Sequence, residues 1–184
     1  ASTVLNASGY VTARRQATVS SKFTGKVVDV LIEEGMEVEK DQVLARLDDS
    51  NVATGYALAE AQLSASKTSR KETQALLREA GAIYQRTQNL AERKLVSEAE
   101  LDRARAGSES LAAQLERKQA EVRVAEKQLD VYRQQMEDTI IRAPFAGVVV
   151  AKNAQPGEMI SPVSAGGGFT RTGIGTVVDM SSLE

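Results

Sequence analysis

Between residues 49 and 138 apolar positions recur every seven residues in two long series. In the later series Leu101, Ser108, Leu115, Val122, Leu129 and Met136 form one row, and Ala104, Leu111, Lys118, Ala125 and Tyr132 lie three residues further on. The earlier series has Tyr56, Leu63, Arg70, Leu77, Tyr84 and Ala91, with Val52, Ala59, Ser66, Thr73, Ala80 and Thr87 as its companion row. A seven-residue period with two rows is a coiled-coil seam, which predicts helices over about 50–92 and 97–137. The flanks follow another grammar. Residues 23–47 and 139–150 are short β-branched runs punctuated by Gly and by the charged turn EKDQ, and they predict strands.

One seam on each of two helices predicts that they pack together. If the chain folds back about Lys94, facing residues have numbers summing to roughly 188. This register sets Leu77 against Leu111, Leu63 against Ala125, Tyr56 against Tyr132, Val52 against Met136 and Ala59 against Leu129. Large residues then mostly face small or moderate ones, as close antiparallel packing requires. At 1.5 Å per residue each helix of about 42 residues rises about 63 Å, too long for a small β-domain to bury, so the hairpin is expected to project. Two layers break the seam. Arg70 faces Lys118, whose heads are expected to snorkel toward Glu72, Glu116 or Glu121. Gly81 faces Gly107, which reads either as a flexible point or as a close helix approach.

The two flanks resemble each other. A shift of 122 residues superposes Phe23 on Phe145, Gly25 on Gly147, Val27 and Val28 on Val149 and Val150, and Gly35 on Gly157. The near-matches Val19/Ile141 and Val38/Ile160 extend the correspondence. The same strand, turn and strand occurring twice predicts that the halves combine into one small β-sandwich. The fold class is therefore α+β, a β-sandwich split by a long antiparallel α-helical hairpin.

Composition narrows the chemistry. The 184 residues include no Cys, His or Trp, which removes N/S zinc sites, thiol chemistry, disulfides and His-based triads. No cofactor or metal is expected. A net charge of −2 lacks the basic excess a nucleic-acid binder needs. All three prolines lie after residue 143, and residues 49–138 carry 14 basic and 15 acidic side chains, the composition of solvated helices. No window approaches 18 consecutive apolar residues, and the opening ASTVLNASGY has neither the basic nor the apolar region of a leader.

The bend falls at ERKLV, residues 92–96, where Ser97 followed by Glu100 forms the S-x-x-E of a capping box. Around it stand Arg86, Leu90 and Ser97, spaced Arg-x3-Leu-x6-Ser. Together with GKVVDVLIEEGMEVEKDQVLARLDD (25–49), IIRAPFAGVVV (140–150), PGEMI (156–160) and TVVDMSSLE (176–184), this layout resembles the periplasmic adaptor, or membrane fusion, proteins of bacterial tripartite efflux and secretion systems. The resemblance covers residues 19–184 and implies a lipoyl-like β-domain in two halves, 19–48 and 139–180, around a hairpin at 49–138. Residues 1–18 are then a strand or lead-in, and 181–184 the start of a barrel domain. A membrane-proximal domain and a lipid anchor or membrane helix are implied beyond the sequence.

The resemblance further implies a function. Arg86, Leu90 and Ser97 become the tip motif that contacts an outer-membrane channel, with no catalytic residue and no enzyme activity. Partners are that channel, an inner-membrane transporter (ABC type ahead of proton-driven) and further copies of the chain in a ring, taken as hexameric. The location is the periplasm, with the full-length protein anchored to the inner membrane. A coiled-coil spacer without a conduit remains the alternative. A lipoyl or biotinyl carrier fits poorly, because the acceptor hairpin is replaced by Asp48-Asp49-Ser50-Asn51 and no Lys follows until Lys67.

Overall fold

The computed structural model describes residues 13–162 and 170–180. Most of the 1–18 lead-in and the whole of 181–184 therefore lie outside the described residues. The chain is α+β and divides into two compact units, one built from residues up to Asn51 together with those from Gln135 onward, the other from Val52–Gln134.

Among the described residues the first unit holds nine strands: β1 (Gln16–Val19), β2 (Gly25–Val30), β3 (Glu37–Val38), β4 (Val43–Leu47), β5 (Ile140–Arg142), β6 (Gly147–Lys152), β7 (Met159–Ile160), β8 (Thr170–Arg171) and β9 (Gly175–Val178). They form two sheets, ordered β1-β9-β6-β3 and β5-β4-β2-β7-β8. Every pairing is antiparallel except β7 with β8. β1 begins at Gln16, so the lead-in already supplies most of a sheet strand.

The repeat is realised as an exchange. β2 pairs with β7 through Gly25↔Ile160 and Lys26↔Met159, and β3 pairs with β6 through Val38↔Gly147 and Glu37↔Val148. These registers are the same register shifted by 122 residues and taken from the opposite half. The turn hydrogen bonds repeat as well: Gly35 N–H donates to Val149 O at 2.7 Å and Gly157 N–H to Val27 O at 2.8 Å. Each sheet therefore contains strands of both halves, and neither half can complete a sheet alone.

Buried side chains follow the same twofold correspondence. Val19 and Ile141, Val27 and Val149, and Val38 and Ile160 all join one apolar cluster. Leu44 and Leu47 correspond to Ile174 and Val177 at a shift of 130, so the second copy carries eight extra residues between Ile160 and Ile174. Within this unit the entrance and exit of the inserted segment are tied together. Leu47 N–H donates to Thr139 O at 2.9 Å, and Lys22 pairs with Asp138 at 2.5 Å. Asp48 accepts the Ser50 N–H at 3.0 Å and the Ser50 hydroxyl, which hold its carboxyl below the usual carboxylate range with help from Lys26.

The inserted segment is two helices, α1 (Ser50–Glu92) and α2 (Glu98–Asp138). Arg93–Ser97 turns the chain, and the turn closes as a Schellman motif. Leu95 N–H donates to Leu90 O at 2.9 Å and Lys94 N–H to Ala91 O at 2.8 Å, with Lys94 at φ 57° in the left-handed region. A glycine normally occupies that position because a Cβ costs energy there.

Two predictions follow from these backbone sites. Gly35 and Gly157 have φ of 85° and 93°, yet a Cβ at either would meet nothing within 4 Å. Gly35→Ala and Gly157→Ala should each cost about 1–2 kcal/mol through φ alone, and by similar amounts, in chemical denaturation. Lys94→Gly should stabilise the hairpin by about 1 kcal/mol or slightly less, read as a shift of the helical transition.

Candidate docking tip of the hairpin

The tip is positioned by the helical unit beneath it. Every residue of the four rows read from the sequence is buried or half-buried. The fully buried apolar residues are Ala59, Leu63, Val122 and Leu129, with Tyr56, Ala125 and Tyr132 packed against them. All lie in the half of the unit away from the turn. Gly55 also belongs to this layer: a Cβ there would come within 2.4 Å of the Tyr132 ring, so the small residue makes room for the aromatic. The heptad rows do not contain Gly55. Its only sequence signal is a glycine beside a seam tyrosine in mid-helix.

Toward the turn the seam changes character. Its buried residues are Thr73 and Thr87, whose hydroxyls donate to Ser69 O at 3.1 Å and Ile83 O at 3.0 Å in their own helix. Tyr84 and Arg105 link the two helices, the Arg105 Nε donating to the Tyr84 hydroxyl at 3.3 Å. That bond raises the Arg105 pKa further above its ordinary value. At the charged layer Lys118 reaches Glu121 at 2.8 Å as expected, whereas the Arg70 Nε is buried without a hydrogen-bond partner. Around Gly81 and Gly107 a Cβ would meet nothing within 4 Å, so these glycines do not serve a close helix approach.

Arg86 and Leu90 stand four residues apart on the last turns of α1, hence on one helix face. Both are exposed, Leu90 at 36%. Leu90 also gives its carbonyl to the turn, so its backbone closes the helix while its side chain stays partly in solvent. Arg86 has no hydrogen-bond or ion-pair partner among the described residues. Ser97 lies across the turn as the N-cap of α2, its Oγ accepting the Glu100 N–H at 3.2 Å. The fold thus brings the three residues to one end of the hairpin. Chemically they offer guanidinium donors, an apolar side chain and a hydroxyl, a contact surface rather than a reaction centre.

Comparisons with known proteins agree with this architecture. The family described as CzcB-like, barrel-sandwich hybrid domain matches residues 15–165. The macrolide export protein MacA of Escherichia coli O157:H7 is 27% identical over 177 residues, which is 96% of this chain and 46% of that protein. The multidrug resistance protein MdtA of Salmonella heidelberg (strain SL476) is 31% identical over 163 residues, 89% of this chain and 36% of that protein. The chain therefore spans less than half the length of these relatives. Among solved structures, MacA from Actinobacillus actinomycetemcomitans superposes with a TM-score of 0.85 at 20% identity, covering 94% of this chain and 52% of that one. The periplasmic adaptor protein EmrA gives 0.62 at 18% identity, covering 95% and 74%. The chain belongs to the CzcB-like barrel-sandwich hybrid domain family and is homologous to the membrane fusion proteins MacA and MdtA.

Proposed function

We propose that this chain is the hairpin-bearing part of a periplasmic adaptor that links an inner-membrane transporter to an outer-membrane channel in a tripartite export pump. Its hairpin tip docks the channel through Arg86, Leu90 and Ser97. The observation that carries the reading is the state of Arg86: an exposed cation without a partner, one helical turn from a half-exposed Leu90, at the end of a hairpin in a chain of this family. An unpaired donor beside an apolar side chain suits a small helix-to-helix contact. The export role is supported by the names of the relatives, a macrolide export protein and a multidrug resistance protein.

The rest of the assembly follows from the same reading. A single hairpin about 20 Å across cannot enclose a conduit, so several copies form a ring, taken as a hexamer. The transporter is of the ABC type ahead of the proton-driven type. The full-length protein sits in the periplasm, anchored to the inner membrane. It carries no catalytic residues and works as a connector.

Arg86→Asp and Leu90→Asp in the full-length protein should abolish export while changing stability by no more than about 0.5 kcal/mol, because both sites are solvated when undocked. In the docked state each variant buries an unpaired carboxylate, a loss of about 2 kcal/mol or more. Wild-type export by both would refute the tip contact. Ser97 separates by a pair of variants: Ser97→Ala should lower hairpin stability by about 1 kcal/mol, whereas Ser97→Asp retains the cap. Loss of export in Ser97→Asp with normal stability assigns Ser97 to the contact, and normal export in both assigns it to capping alone.

A further inference from the structure

The two sheets of the first unit differ at their edges. By the shift of 122 residues β3 corresponds to β7, yet β7 is covered by β8 whereas β3 ends its sheet. The longer connection of the second copy, between Ile160 and Ile174, supplies β8, and the shorter one of the first, between Val38 and Leu44, supplies no strand. β1 is the other end of the sheet that β3 closes. Both ends hold outward hydrogen-bonding groups. Glu37 lies opposite Val148, and the Val149 N–H donates to Met36 O at 2.9 Å, so the Glu37 N–H and C=O point away from β6. On β1 the Asp179 N–H donates to Arg15 O at 2.9 Å beside the Gln16↔Val178 pair, so Gln16 and Thr18 turn theirs away from β9.

The two edges carry opposite charge. Glu37 and Glu39 are exposed, and the groove beside them is lined by Glu37, Glu39 and Asp179 and, among the described residues, by no basic side chain. Met180, 52% exposed, and half-buried Val148 add apolar surface to that groove. β1 holds no acidic residue and is preceded by Arg14 and Arg15, both exposed. Arg15 reaches Asp179 of its own chain at 3.8 Å, and Arg14 stands two residues before Gln16. The Glu39 N–H is taken by Gln42 Oε1 at 2.8 Å, which leaves Glu37 as the residue of this edge that bonds an added strand. Carboxylates on so short an edge exclude most strands, and a strand flanked by basic side chains is the kind they admit.

We propose that copies of this chain join through these edges, β3 of one copy pairing antiparallel with β1 of the next, so that the four-stranded sheet continues from protomer to protomer. The inference rests on the ring reading above and names its contact surface. In the register that sets Glu37 opposite Gln16 of the next copy, Glu39 falls opposite Arg14 of that copy. Charge selects this occupant. Two β3 edges brought together would set carboxylates against carboxylates, and two β1 edges would set arginines against arginines. Strand order selects the direction as well. β1 and β3 run in opposite directions within the sheet, so copies oriented alike meet antiparallel at the junction. An edge that pairs with a different edge is a head-to-tail contact, which closes a ring when rotation returns to the start, whereas like-with-like pairing stops at a dimer. The contact is a strand added to a sheet edge, with backbone hydrogen bonds at Glu37 and the carboxylate–arginine pair setting its register.

The test uses the full-length adaptor purified in detergent. Glu37→Cys and Gln16→Cys combined in one chain should oxidise to a ladder of covalent oligomers, since hydrogen-bonded antiparallel partners stand about 5.5 Å apart at Cα. Mass spectrometry of the cross-linked peptides should join position 37 of one chain to position 16 of another. Neither single cysteine variant should yield the ladder. Glu39→Arg and Arg14→Glu should each weaken self-association in sedimentation by about tenfold or more, and the two combined should restore it, because the pair is then reversed and not lost. Circular dichroism of every variant should match wild type. A ring that assembles normally in both charge variants and without bridging of 16 to 37 would overturn the edge contact and leave the ring reading intact. Efficient bridging by Glu37→Cys alone would also overturn it, since β3 would then meet β3. A full-length adaptor that stays monomeric at every concentration would overturn the ring reading together with the edge contact.

Discussion

The structure depends on the exchange of strands between two similar halves. β2 of the first half is completed by β7 of the second, and β6 of the second by β3 of the first, in registers that superpose on a shift of 122 residues. Each half buries its valines and isoleucines only when the other is present, so the apolar cluster of this unit is assembled across the insertion. The chain can leave after Leu47 for ninety residues because Thr139 must return beside it, and the Leu47–Thr139 hydrogen bond marks that closure. An insertion of any length is tolerated only if its ends meet. An antiparallel pair of helices of nearly equal length satisfies that condition.

Inside the hairpin, the fully buried apolar residues are confined to the half away from the turn. Ala59, Leu63, Val122 and Leu129 hold the helices together near the entrance, while the turn end relies on threonines, Tyr84–Arg105 and a Schellman closure with lysine in a left-handed position. Large apolar side chains are exposed in both halves, at Leu58, Val124 and Val131 near the entrance and at Leu76, Ile83 and Leu90 toward the turn.

Much of this was legible in the residues. Heptad rows exposed the hairpin because a buried seam constrains every seventh residue, and the shifted valines and glycines exposed the repeat because both copies fill the same core. The exchange of partners between halves was not legible, since strand pairing lies in space and a repeat is equally compatible with two self-contained hairpins. Gly55 escaped because its reason is the ring of Tyr132, seventy-seven residues away. The Schellman closure escaped because a lysine occupies the place where glycine would have signalled it. Arg86, Leu90 and Ser97 were identified through a family pattern. Spacing alone shows a charge, an apolar residue and a cap, and the exposure that makes Arg86 and Leu90 available emerges only once the turn is built.

The register of the hairpin is the point on which all of this turns, because it brings Arg86, Leu90 and Ser97 to one end. Cysteine pairs test it directly. With facing numbers summing to about 188, Leu77→Cys combined with Leu111→Cys should oxidise to an intramolecular disulfide in high yield, since facing seam positions approach the Cα separation of about 4.4–6.8 Å that the bond requires. Preferential bridging of position 77 to a residue five or more places from 111, or only intermolecular bridging, would contradict the register.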